Sequence, residues 1–153
     1  MKKKLHLVGA VLTAATIAQF LVSIMIVGAF GNLAALLLVR HYVALGQLLL
    51  IPAVLVTVFT GLALATGRRS ALVQAKMRRM TVVTTLLLLL AAPAALFLNM
   101  KASAGAFDQT FVLVQFGELM VLGLCLLLLG RNIRDGMRLS GRLAPGPPAS
   151  PSG

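Results

Sequence analysis

The chain has 153 residues, 59% of them hydrophobic and only 11% charged, with a mean hydropathy of +1.00. A soluble domain carries about 25% charged residues, so this composition excludes a water-soluble globular protein and leaves one integral membrane domain. Fourteen Lys and Arg against three Asp and Glu give a net charge of +11, which raises nucleic acid as a partner until the bases are placed.

Crossing the hydrocarbon core as a helix takes about 20 apolar residues. Lys2, Lys3 and Lys4 lead into the first such run, at about Leu5–Gly28. It is longer than the apolar core of a secretory signal, so it is read as a retained span rather than a cleaved leader. Phe30–Val39 is apolar but too short to cross, and it opens with Gly31-Asn32. Asn32 suits a helix N-cap. A short interfacial helix between spans one and two is therefore expected, with an outward extension of the second span as the alternative. The second span is predicted at about Val43–Thr66, before Gly67-Arg68-Arg69. The third lies at about Met80–Met100, between Arg78-Arg79 and Lys101, and the fourth at about Thr110–Gly130, before Arg131. Pro52 and Pro93 fall inside spans two and three and are expected to kink them. The tail, residues 140–153, holds four Pro and no apolar periodicity, so it reads as disordered.

Placing the bases orients the chain. Twelve of the fourteen fall on the N-terminal tail, the second loop and the C-terminal tail, leaving only Arg40 and Lys101 on the other side. The positive-inside rule makes the twelve-base side cytoplasmic, with both termini there. Topology thus accounts for the charge without nucleic acid, and the partners expected are the bilayer itself and its anionic headgroups.

Each span bears a row of small or polar residues at steps near 3 and 4. The rows are Gly9, Thr13, Thr16, Gln19 and Ser23; Gln47, Ala53, Thr57, Thr60 and Ala63; Thr81, Thr84, Ala91, Ala95 and Asn99; and Gln115, Glu118 and Cys125. Such rows turn inward in lipid, where backbones approach and polar groups find partners. The fold class expected is an all-α, antiparallel four-helix membrane bundle. Ala10, Ala14 and Ala18 add a small-residue row on the first helix. It is read as packing within the chain, with a second protomer or a partner membrane protein as the alternative.

Glu118 is the one carboxylate inside a predicted span, and an acid in lipid is a functional hypothesis by default. With Gln19, Gln115 and Gln47 it forms the predicted polar cluster, a site for a ligand or a proton. Without a base assigned to any span, the preferred reading is structural: a protonated Glu118 bonded to Gln19 or Gln47. Gln19 and Glu118 lie at matching depths from the outer ends of spans one and four, so they are expected to meet. His6 and His41 fall on opposite sides of the membrane, which excludes a shared haem. His41, Met25 and Met100 near the outer face offer soft ligands that suit copper, but at no compact spacing. A lone Cys125 excludes an internal disulfide. No nucleophile set, phosphate loop or carboxylate pair is visible, so no cofactor and no catalysis are expected. The leading role is a non-enzymatic accessory or scaffold component, and the alternative is a small permease or ion- or metal-handling component acting through Glu118.

His6-Leu7-Val8-Gly9-Ala10 on span one, Arg40 before span two and Thr60-Gly61-Leu62 near its end resemble the copper-resistance-D-like superfamily and its uncharacterised four-helix bacterial relatives. The resemblance covers roughly the first half of the chain and implies a bacterial inner-membrane protein of unassigned role. The Trp and paired Gly common after the first His in that group are replaced by Leu12, Thr13, Ala14 and Ala15, and the chain has no Trp.

Overall fold

The computed structural model describes residues 2–65 and 71–139. The expected tail at 140–153 and the bases Arg68 and Arg69 lie outside the described residues. Within them the chain is helical in four lengths: α1 (Lys2–Phe30), α2 (Leu33–Ala65), α3 (Ala71–Ser103) and α4 (Gln109–Leu139). All four are long and apolar enough to cross a membrane. Their apolar residues run around the whole circumference, the pattern of a helix that meets apolar surroundings on every side. Large side chains such as Leu48, Leu113 and Leu127 are 70–76% exposed, the reverse of a soluble surface.

The separate interfacial helix does not form. Asn32 caps as expected, its Oδ1 accepting the Ala35 N–H at 2.9 Å, but the helix it opens is α2 itself, which runs on through Arg40. Nothing between Leu33 and Val43 breaks a helix: there is no Gly or Pro, and Leu and Ala dominate. At 33 residues, α2 is ~50 Å long and so outlasts a ~30 Å hydrocarbon layer.

α3 contains one turn of π-helix, Leu87–Ala91, closed by the Ala92 N–H donating to the Leu87 carbonyl. The cause lies just beyond it. Pro93 has no N–H, and its ring would press on the carbonyl of Leu89 in a regular helix, so the preceding turn widens. α2, by contrast, stays α-helical through Pro52. The α3–α4 connection is tied at both ends. Gly105, at φ +67°, lets its own N–H reach the Ala102 carbonyl and the Ala106 N–H reach that of Lys101, so the last turn of α3 is closed. Asp108 then caps α4, accepting the Phe111 N–H at 2.9 Å while the Lys101 ammonium bonds its other oxygen.

The helices form a ring in which α1 packs on α2 and α4, and α3 packs on those same two. α2 and α4 therefore face each other across the middle. The largest core cluster includes Ile17, Phe20 and Ile24 of α1, Leu50 and Val54 of α2, Leu87 and Ala91 of α3, and Leu122, Cys125 and Leu129 of α4. Glycine sets the closeness of α1 to α2. A side chain at Gly46 would run into the buried Phe20 ring, and one at Gly9 would lie 2.7 Å from Thr57 Oγ1. One turn earlier on α2, the Tyr42 ring meets Phe20 edge-on at 5.8 Å.

Candidate functional site

Two polar constellations lie inside the ring, one toward each end. The first is built by α2 and α4. On α2, Arg40, Val43, Ala44 and Gln47 are all buried, at steps of 3, 1 and 3, which makes one helix face. On α4, Phe111, Glu118, Leu122, Cys125, Leu129 and Asn132 form another buried face. These two faces meet across the middle of the ring, and the long Arg40 side chain bridges them. Its Nη1 donates to Glu118 Oε2 at 2.5 Å, and both side chains are 1% exposed. The guanidinium also lies 5.7 Å from the centre of the Phe111 ring, in cation–π range.

This corrects the reading of both residues. Arg40 is not a loop base: it belongs to α2 and is the charge partner that Glu118 was expected to lack. The Gln19 contact is not formed. Gln19 is exposed on the outside of α1, whose buried face is Thr13, Thr16, Ile17, Phe20 and Ile24. Repeated steps of 3 from Thr13 drift about 60° per step against a period of 3.6, which carries Gln19 off that face. Gln47 is buried, but its Nε2 reaches the Val43 carbonyl of its own helix at 3.4 Å rather than Glu118. Gln115 is half-buried, and its amide nitrogen lies near Gly28 of α1. Arg40 Nε and Nη2, Gln47 Oε1 and Gln115 Oε1 are buried without a hydrogen-bond partner among the described residues. His41, Met25 and Met100 are all exposed. Among the described residues no three His, Cys, Asp or Glu gather as metal ligands would.

The second constellation lies where His6 of α1 and Met137 of α4 line one cavity, and the sequence reading did not anticipate it. His6 Nδ1 is 3.0 Å from the Thr57 carbonyl oxygen and 3.2 Å from Thr60 Oγ1. The carbonyl can only accept, so Nδ1 carries the proton and ties α1 to α2. On the opposite side, Arg79 of α3 bonds Asp135 at 2.5 Å and Asn132 Oδ1 at 3.4 Å, both on α4. Between these ties lie two adjoining cavities of about 400 and 330 Å³ that share His6, Thr57, Leu64, Lys76 and Met80. The remaining walls are apolar apart from Thr81 and Asn132.

Several stripe hydroxyls bond the carbonyls of their own helix. Thr81 is exposed, and its hydroxyl donates to the Met77 carbonyl one turn back; Thr84 and Thr60 do the same to Met80 and Val56. A threonine satisfied by its own helix has no need of a bundle partner.

No protein-family model, curated protein or solved structure matches the chain.

Proposed function

We propose that this chain is a multi-pass protein of a bacterial inner membrane, an antiparallel four-helix bundle with both termini cytoplasmic, serving as a non-enzymatic accessory or scaffold component. The observation that carries the reading is the Arg40–Glu118 pair. The single carboxylate on the buried faces of the central ring is bound to a base from the opposite helix. Spent in this way, it joins α2 to α4 and is not free to accept a passing ion. Below it, Leu122, Cys125 and Leu129 continue the α4 face as packed core, which leaves that face without a polar path.

Orientation and role are tested separately. Reporter fusions after Gly67 and Gly130 should read cytoplasmic and a fusion near Ser103 external; an external signal at Gly67 would overturn the topology. For the role, purification in mild detergent should recover a membrane protein in fixed ratio, and proteoliposomes should hold an ion gradient. The alternative, a small permease or ion- or metal-handling component, draws on the unpartnered Arg40, Gln47 and Gln115 atoms around the pair. It requires a cation flux in those proteoliposomes that Glu118→Gln abolishes while the helices remain folded.

A further inference from the structure

All three carboxylates of the chain are already held: Glu118 by Arg40, Asp135 by Arg79 and Asp108 by Lys101. Asp135 also acts on Lys76 across space, but its hydrogen bond goes to Arg79. For bases that face water, having no bonded carboxylate costs little. Lys76 is different, because it is half-buried and lines both adjoining cavities. Its ammonium crosses from α3 to rest on α4 at Gly136, where a side-chain carbon would stand 3.2 Å from Nζ. Asn132 lies one turn away on the same face of α4. It is 4% exposed, it lines the same cavity, and its Nδ2 is a buried donor without a partner. A cation and an unfilled N–H donor thus sit together at one end of an apolar cavity walled by residues such as Leu64, Met80, Leu129 and Ile133. A cation with an N–H donor at the head and hydrocarbon along most of the walls match an anion carrying an apolar tail.

We propose that this cavity binds one anionic phospholipid of the cytoplasmic leaflet. Its phosphate would be held by Lys76 Nζ and Asn132 Nδ2, and the upper part of one acyl chain would lie against the Leu and Met walls. The proposal rests on the membrane orientation given above, since that orientation puts the Lys76 end at the cytoplasmic face, where anionic lipid is drawn to bases. His6 acts here as a wall that fixes α1 to α2, and Arg79 is kept from the phosphate by Asp135.

The test uses the full chain in a mild non-ionic detergent. Dioleoyl phosphatidylglycerol, dioleoyl phosphatidylcholine, glycerol 3-phosphate and inorganic phosphate are added in parallel. Retention is read by native mass spectrometry and protection by thermal loss of helicity. Phosphatidylglycerol should be retained at one per chain and raise the melting temperature, whereas phosphatidylcholine and the two soluble phosphates should do neither. Lys76→Gln and Asn132→Leu should each weaken retention roughly tenfold or more, the scale of a lost hydrogen bond to a charged group. Arg131→Gln, an exposed base outside the cavity, should leave retention unchanged. Protection by inorganic phosphate alone would overturn the lipid assignment, as would Lys76→Gln binding phosphatidylglycerol like the parent. Carbonate extraction and the reporter fusions distinguish the two failures. A chain that stays in the membrane with the expected topology yet retains no lipid refutes only the cavity proposal.

Discussion

Cutting the Arg40–Glu118 pair from either side should give unequal losses, because only one partner can lose its charge. Glu118→Leu leaves a guanidinium among buried groups, and a guanidinium does not deprotonate in a protein. Stranding one member of a buried pair costs about 3–5 kcal/mol. Arg40→Met leaves a carboxyl instead, which can take up a proton and become neutral; its unpaired polar atoms then cost about 1–3 kcal/mol. The Met side chain also keeps apolar contact with the Phe111 ring. In the double variant neither group remains, and stability should return to within about 1 kcal/mol of the parent or exceed it. The double-mutant cycle should therefore show a coupling of about 3 kcal/mol or more. The chain has no Trp, so the assay is loss of far-ultraviolet circular dichroism as sodium dodecyl sulfate is titrated into the protein in mild detergent. Additive losses, with the double variant as unstable as the two singles summed, would refute the pair. A larger loss for Arg40→Met than for Glu118→Leu would refute the argument from protonation.

At the α1–α2 contact, Gly46→Ala should lower stability by roughly 1–3 kcal/mol by forcing the buried Phe20 ring to move. Adding Phe20→Leu should recover part of that loss, and equal stability of Gly46→Ala and the parent would refute the close approach. In the α3–α4 connection, the Lys101 ammonium and then the Phe111 N–H hold the Asp108 carboxyl below its ordinary value of 3.8. A depressed acid contributes stability above its unfolded pKa and loses it as pH falls through the folded one. Asp108→Asn keeps a capping oxygen and removes the charge, so its small melting-temperature deficit in detergent should persist from neutral pH to about 5 and vanish under strong acid. A deficit that grows with acidity would contradict the assignment.

The four helices were legible because length and apolarity alone define them, and the Asn32 cap was legible because a side-chain oxygen three residues ahead of an N–H is a local arrangement. The Arg40 pairing was not. As a marker of topology, Arg40 counts by its side of the membrane and not by its helix face. Extending the α2 stripe backward from Gln47 by two turns arrives at Arg40, and that was the available signal. Gln19 and Thr81 were misplaced for different reasons. Steps of 3 drift from a 3.6-residue period, and a hydroxyl bonded to its own helix carries no information about burial. The Lys76 cavity needs all four helices in register, and no spacing within one segment encodes that.

The π turn in α3 also solves a problem of phase. Upstream, α3 buries Val83 and Leu87; downstream it buries Ala91, Ala92, Ala95, Leu98 and Ala102. Steps of 4 from Val83 through Ala95 would swing a regular helix about 40° per turn, so an unmodified helix would have turned its alanines well away from the ring by Ala95. The wide turn takes up the surplus residue and returns the downstream half to the same bearing. Four of its five residues belong to the uninterrupted Leu86–Leu90, where sliding the chain by one position exchanges one leucine for another. That short run therefore acts as a vernier between the two halves of the helix: the arc of the backbone can be reset there without altering which kind of side chain meets its neighbours.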